Sequence, residues 1–154
     1  MLTRARLVLA GGLGLYSGLI LFLTLGTLRQ RLPGSQAPGG VLSLDTWLDR
    51  ATWTTGWSGE FLANVMLFTP WGVLAVLLLG TRRWWWVLAS GAAFSMLIEI
   101  AQISGSRISD PRDLVANTLG AVLGVAIGML IDARSSAQRR AASADERVAI
   151  GAWD

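Results

Sequence analysis

Glu99-Ile100-Ala101-Gln102, and then Arg107-Ile108-Ser109-Asp110-Pro111-Arg112-Asp113-Leu114-Val115-Ala116-Asn117-Thr118-Leu119-Gly120 with Gly124 and Gly128 beyond it, is the stretch that decides the fold. It runs charged and amide side chains straight into two long apolar segments. Ionisable groups at membrane depth cost about 2.5–3.5 kcal/mol each on insertion scales, so residues kept there are functional candidates by default.

Working outward, charges separate four apolar runs, at 7–28, 61–81, 84–103 and 114–131. Each is close to the ~20 residues a helix needs to cross a ~30 Å hydrocarbon core. Just over half of all residues are hydrophobic (53%) and only 15% are charged, which excludes an ordinary soluble domain. The expected fold is all-α, an integral membrane bundle of four transmembrane helices spanning 1–131. The first run follows Arg4 and Arg6 as a signal peptide would. It is longer than a signal h-region and leads into Leu28-Arg29-Gln30-Arg31 with no small-residue cleavage site, so it is expected to be retained.

Chemistry is narrowed by what is missing. The chain has neither cysteine nor histidine, which removes disulfides, thiolate nucleophiles, imidazole bases and nitrogen- or sulfur-ligated zinc. Every basic residue is arginine, and several stand at the ends of apolar runs. The basic balance is therefore topological, and no nucleic-acid footprint is expected.

Arg4 and Arg6 at the N-terminus, Arg82 and Arg83 in the second turn, and Arg134, Arg139, Arg140 and Arg147 in the tail fall on one side of a four-span chain. That side, with both termini, is expected to be cytoplasmic. The opposite side holds Arg29, Arg31, Arg50, Arg107 and Arg112, most of them near acidic residues. Trp84-Trp85-Trp86 suits an interfacial aromatic belt. In the loop between the first two spans, Pro33-Gly34 and Pro38-Gly39-Gly40 break structure, while Trp47, Trp53 and Trp57 suit the interface. Residues 132–154 show no sustained apolar face, so a mostly disordered cytoplasmic tail is expected there.

With this topology Asn64, Glu99, Gln102, Asp113 and Asn117, contributed by three helices, land at the outer end of the bundle, and that convergence argues for a site. Glu99 and Gln102 are i, i+3 neighbours, and Asp113 and Asn117 are i, i+4 neighbours, so each pair shares a helix face. The fourth-span face continues through Gly120, Gly124 and Gly128, a ladder that lets a partner backbone approach, with Gly14 and Gly18 of the first span as a candidate counterpart. Pro70 should kink the second helix, placing Asn64 above the kink and facing Glu99. Asp110 as N-cap, Pro111 at N1 and Asp113 at N3 form a capping arrangement, which together with Arg107 and Arg112 also makes an anion site. Glu99 needs a partner, either Arg107 or a proton or cation shared with Asp113.

Asn64-x-x-x-Phe68-x-Pro70-x-Gly72, Glu99-x-x-Gln102 and Arg107-x-x-Asp110-x-x-Asp113-x-x-x-Asn117-x-x-Gly120-x-x-x-Gly124 together resemble the VanZ-like family of bacterial membrane proteins. The resemblance runs from Asn64 to Gly124 and leaves the first span, the Gly/Pro loop and the tail unmatched. It implies a polytopic cell-envelope protein of a family named for resistance to the glycopeptide teicoplanin, with a polar signature on Asn64, Glu99, Gln102, Arg107, Asp110, Asp113 and Asn117.

Three functions follow as expectations. In the first, the cluster binds a phosphate-bearing or amphiphilic ligand at the outer leaflet, Arg107 holding the anion while Glu99 and Asp113 orient it. Membrane lipid and a lipid-linked or amphiphilic small molecule are then the partners, and no cofactor is needed. In the second, Glu99 and Asp113 are the catalytic acid/base pair of a hydrolase or transferase, or join Asp110, Asn64 and Asn117 around a divalent cation. Ser104, Ser106 and Ser109 are its candidate nucleophiles. In the third the chain relays ions, against which stands the lack of an inverted repeat.

Overall fold

A computed structural model describes residues 3–26, 40–54, 58–103 and 109–151, the last seven of these as backbone only. Arg29, Arg31, Trp57, Ser104, Ser106, Arg107 and the breaker segment 33–39 lie outside the described residues. Within them the chain is helical: α1 (Arg4–Leu25), a 3-10 turn (Gly40–Leu42), α2 (Leu44–Leu48), α3 (Arg50–Thr54), α4 (Ser58–Leu79), a second 3-10 turn (Thr81–Arg83), α5 (Trp84–Ile103) and α6 (Pro111–Gly151). Four helices, α1, α4, α5 and α6, are long and apolar enough to cross a membrane, the expected all-α bundle.

Hydroxyls inside these apolar helices satisfy themselves on their own backbone. Ser17, Thr24, Thr69 and Thr118 each donate to the carbonyl four residues back, at 2.7–2.8 Å. This keeps polar atoms out of lipid without a partner helix. Pro70 has no N–H to offer Met66, yet α4 carries on through it as a single helix.

The core is an aromatic trio. Phe68 and Trp71 of α4 meet Phe94 of α5 at ring separations of 5.9 and 6.0 Å, packed with Ile20 of α1 and Ala121 and Val125 of α6. α6 makes its most extensive contact with α4, and the glycine ladder is the reason. A side chain at Gly120 would strike the Val65 carbonyl, one at Gly124 the Thr69 carbonyl, and one at Gly128 the Val76 side chain, while one at Gly72 would strike the Ala121 carbonyl. The ladder thus seats the backbones of α4 and α6 against each other. Gly14 and Gly18 have nothing near them, which corrects the expected pairing of the ladder with the first span. Periodic glycines mark a close seam without saying which helix fills it.

α1 is held more loosely. Tyr16 donates to the Leu67 carbonyl (2.9 Å), Ser17 accepts from the Trp71 indole (3.1 Å), and the Thr24 carbonyl accepts from Gln102 (3.0 Å). In its most apolar window 11% of residues are buried, against 44% for α6.

A mostly disordered tail was expected from residue 132. Within the described residues the fourth helix does not stop at Ile131 but continues unbroken to Gly151. The continuation contains six alanines and neither glycine nor proline until Gly151. A helix already nucleated in the bundle extends through such residues at little cost, even without a face to bury.

Candidate functional site

The polar residues expected at the outer end gather where α5 ends and α6 begins. Glu99 is only 1% exposed. Its carboxylate accepts the backbone N–H of Asp110 at 2.9 Å and a hydrogen bond from the Ser109 hydroxyl, and Asp110 and Asp113 lie close enough for their charges to act on it. Asp110 in turn caps α6: its Oδ1 accepts the Arg112 N–H at 2.9 Å, and its carbonyl takes the Asp113 N–H at 3.0 Å. In a capping box the third helical residue reaches back to the N-cap N–H. Here Asp113 stands at that place, and Glu99 from a neighbouring helix makes the bond. The carboxylate expected to be catalytic and the aspartate expected to be a cap are therefore one unit, a tertiary cap that fixes the start of α6 to the end of α5.

One turn deeper, the Asn117 side-chain N–H donates to the Ser95 hydroxyl at 2.9 Å, both groups buried. Nearer the surface Gln102 donates to the Thr24 carbonyl, bringing the end of α1 into the cluster. Ser95, Glu99 and Gln102 stand at i, i+4 and i+7, one stripe of α5. Two acceptors are left over: Gln102 Oε1 and Asn117 Oδ1 are buried with no hydrogen-bond partner among the described residues. Each such orphan costs about 1–3 kcal/mol.

Asn64 is half-buried on α4 and does not meet Glu99, whose partners are Asp110 and Ser109. The physical reason is α6, which packs against both α4 and α5 at this end and takes the position beside Glu99 expected for the second span. Asp113 is half-buried at the α6 N-terminus. Among the described residues no three acidic side chains gather closely enough to hold a metal ion.

Over the cluster lies the segment from Gly40 to Thr54. The Val41 N–H donates to the Ser109 hydroxyl at 3.0 Å, the Trp47 indole donates to the Val41 carbonyl at 2.8 Å, and the Trp53 indole donates to the Trp47 carbonyl at 2.9 Å. Gly40 has φ +49°, and a side chain there would run into Ser109 and Ile103. Only glycine meets both demands, and the turn it makes lets Val41 seal the site. Leu42, Leu44, Leu48 and Trp53 stay exposed on this cap, which suits a segment lying along a lipid surface.

Of the seven expected residues the structure brings Glu99, Asp110 and Asp113 into one group, with Gln102 on the buried stripe of α5 and Asn117 of α6 bonded to that stripe through Ser95. It leaves Asn64 apart, and Arg107 is not described. Ser95, Thr24 and the Gly40–Val41 turn were not anticipated. Ser95 was within reach, being four residues before Glu99 on a face already identified, whereas a backbone carbonyl such as that of Thr24 has no signature in sequence.

No curated protein and no solved structure is significantly similar to this chain. The family model described as VanZ/LLP1 matches residues 13–132, from the first spanning helix to the point where α6 leaves the bundle. With four apolar helices and a buried cluster at the α5–α6 junction inside that match, the chain is a membrane protein belonging to the VanZ/LLP1 family.

Proposed function

We propose that the chain is a bacterial cell-envelope protein whose capped polar cluster faces the outer leaflet, with both termini cytoplasmic, and binds the polar part of an amphiphilic or phosphate-bearing ligand. By doing so it lowers sensitivity to lipophilic glycopeptides such as teicoplanin. The observation that carries this reading is the pair of buried acceptors, Gln102 Oε1 and Asn117 Oδ1, that have no partner among the described residues, beside a carboxylate already bonded to Asp110 and Ser109. Acceptors call for a ligand with hydroxyl or N–H donors, such as a glycosylated or amide-bearing headgroup. Its phosphate would fall to Arg112 in the first turn of α6 and to Arg107, five residues before it in the sequence. Glu99 holds the site's shape instead of reacting.

The test compares teicoplanin and vancomycin susceptibility of a glycopeptide-sensitive host carrying wild type, Glu99→Ala or Asn117→Ala at matched membrane expression. Teicoplanin resistance with wild type that both variants lose supports the reading. A wild type indistinguishable from empty vector rejects it.

The hydrolase or transferase reading has one observation in its favour, the Ser109 hydroxyl bonded to the Glu99 carboxylate as a nucleophile is to its base. It requires the Val41 turn to lift, since that N–H occupies the same hydroxyl. Turnover of a lipid-linked substrate by wild-type protein and none by Ser109→Ala would favour it over binding alone.

A further inference from the structure

At the opposite end of the bundle, the start of α1, the α4–α5 turn and α6 enclose an open pocket of about 440 Å³ lined by Arg6, Leu79, Gly80, Thr81, Arg82, Arg83 and Asp132. Three exposed arginines from two separate elements and one half-buried aspartate from a third share its lining. Among the described residues none of the three arginines is ion-paired, either to Asp132 or elsewhere. Arginines kept only to fix topology need no shared cavity and would be satisfied by bulk headgroups and water. These instead line one open pocket together with Leu79, Gly80 and Thr81, and that lining carries an excess of positive charge. The first turn of α5 begins directly after Arg83, adding the partial positive charge of a helix N-terminus.

We propose that this pocket is a binding site for a phosphate group, taken from an acidic phospholipid of the adjoining leaflet, and that the bound phosphate tethers α1 to the α4–α5 turn and α6. Guanidinium forks match phosphate oxygens bidentately, so Arg6 from one side and Arg82 and Arg83 from the other each bond the same group. Asp132 opposes the anion and sets an upper limit on affinity. The tether falls at the end of α1 away from Tyr16, Ser17 and Thr24, the residues through which, among those described, this least buried spanning helix hydrogen-bonds to α4 and α5. The apolar ring Trp84-Trp85-Trp86, exposed beside the pocket, keeps this rim at the depth of lipid phosphates.

The experiment uses the full chain in phosphatidylcholine nanodiscs with and without phosphatidylglycerol. It reads thermal unfolding and, by native mass spectrometry, the acidic lipid that stays bound. Wild type should gain stability and retain phosphatidylglycerol. Arg6→Gln and Arg82→Gln/Arg83→Gln should each weaken retention on the order of tenfold, Asp132→Asn should strengthen it, and Arg134→Gln/Arg139→Gln, outside the pocket, should leave it unchanged. Inorganic phosphate and glycerol 3-phosphate, added to lipid-free detergent samples, distinguish the sources. Stabilisation by these and none by phosphatidylglycerol would keep the phosphate site but assign it a soluble ligand. Equal loss in the Arg134/Arg139 control, or no gain with Asp132→Asn, would reduce the pocket to diffuse surface charge and overturn the proposal.

Discussion

The α4–α6 seam and the attachment of α1 solve the same problem by different means. Inside lipid no hydrophobic drive pushes helices together, so association rests on close packing and interhelical hydrogen bonds. The seam uses packing: Gly120, Gly124 and Gly72 bring backbone against backbone. α1 uses hydrogen bonds: three side-chain contacts, two of them to backbone carbonyls, hold a helix whose surface is mostly left to lipid. The contrast teaches that the bundle has a stiff part, α4 with α5 and α6, and a part that can be loosened singly. The polar cluster is built across both, since Glu99 ties α5 to α6 while Gln102 ties α5 to α1.

The contrast is broken most severely by filling the seam. Gly124→Val should cost about 3 kcal/mol or more, because the new side chain meets the Thr69 carbonyl and neither helix can yield. Its thermal unfolding in detergent micelles should move far below that of Gly14→Val, placed at the same kind of position on α1, where there is open space. Similar losses in the two variants would sink the assignment of the ladder to α4.

Next is the tertiary cap. Glu99→Ala should cost about 2–3 kcal/mol by stranding the buried N–H of Asp110 and the Ser109 hydroxyl. Glu99→Gln keeps the acceptor and should recover much of it. Hydrogen exchange at the first turn of α6 separates the two, with faster exchange expected in Glu99→Ala alone.

Gly40→Ala should cost about 1–2 kcal/mol, through positive φ and the clash with Ser109. Since the damage falls on the cap and not on the spans, Trp47 fluorescence should shift to the red while helical content is unchanged. An unmoved spectrum would show the turn to be tolerant.

The smallest effect belongs to α1. Tyr16→Phe removes one hydrogen bond to the Leu67 carbonyl and should cost about 0.6 kcal/mol, the average for such bonds in membrane bundles. The chain has no cysteine, so an introduced cysteine pair across α1 and α4 reports this loosening without background. Faster crosslinking exchange in Tyr16→Phe with an unaltered α4–α6 pair would sharpen the contrast, and equal change in both pairs would erase it.

Much of this architecture could be read beforehand because its signals are local. α5 was expected at 84–103 and lies there, and Asp110-Pro111 opens α6 as a capping pair should. The burial of Glu99, Gln102 and Asn117 follows from placing polar groups inside apolar runs. What was not legible is pairwise. Gly120 and Gly124 look alike whether they face α1 or α4, and the separation of Asn64 from Glu99 depends on α6 entering between helices. The extension of α6 past Ile131 was missed for another reason. Amphipathic pattern reports whether a helix has something to pack against, and an alanine-rich continuation of an existing helix needs no such support.

That continuation has a mechanical consequence. At 1.5 Å per residue the 41 residues of α6 make one rod about 60 Å long, roughly twice the hydrocarbon thickness. Its N-terminal end is pinned by the Glu99 carboxylate, its middle is seated on α4 through the glycines, and the remainder continues past them. A tilt of about 5° at the pinned end would carry the far end sideways by roughly 5 Å over that length. Such a tilt would move the rod most beyond the seam with α4, where Arg139 and Arg140 stand.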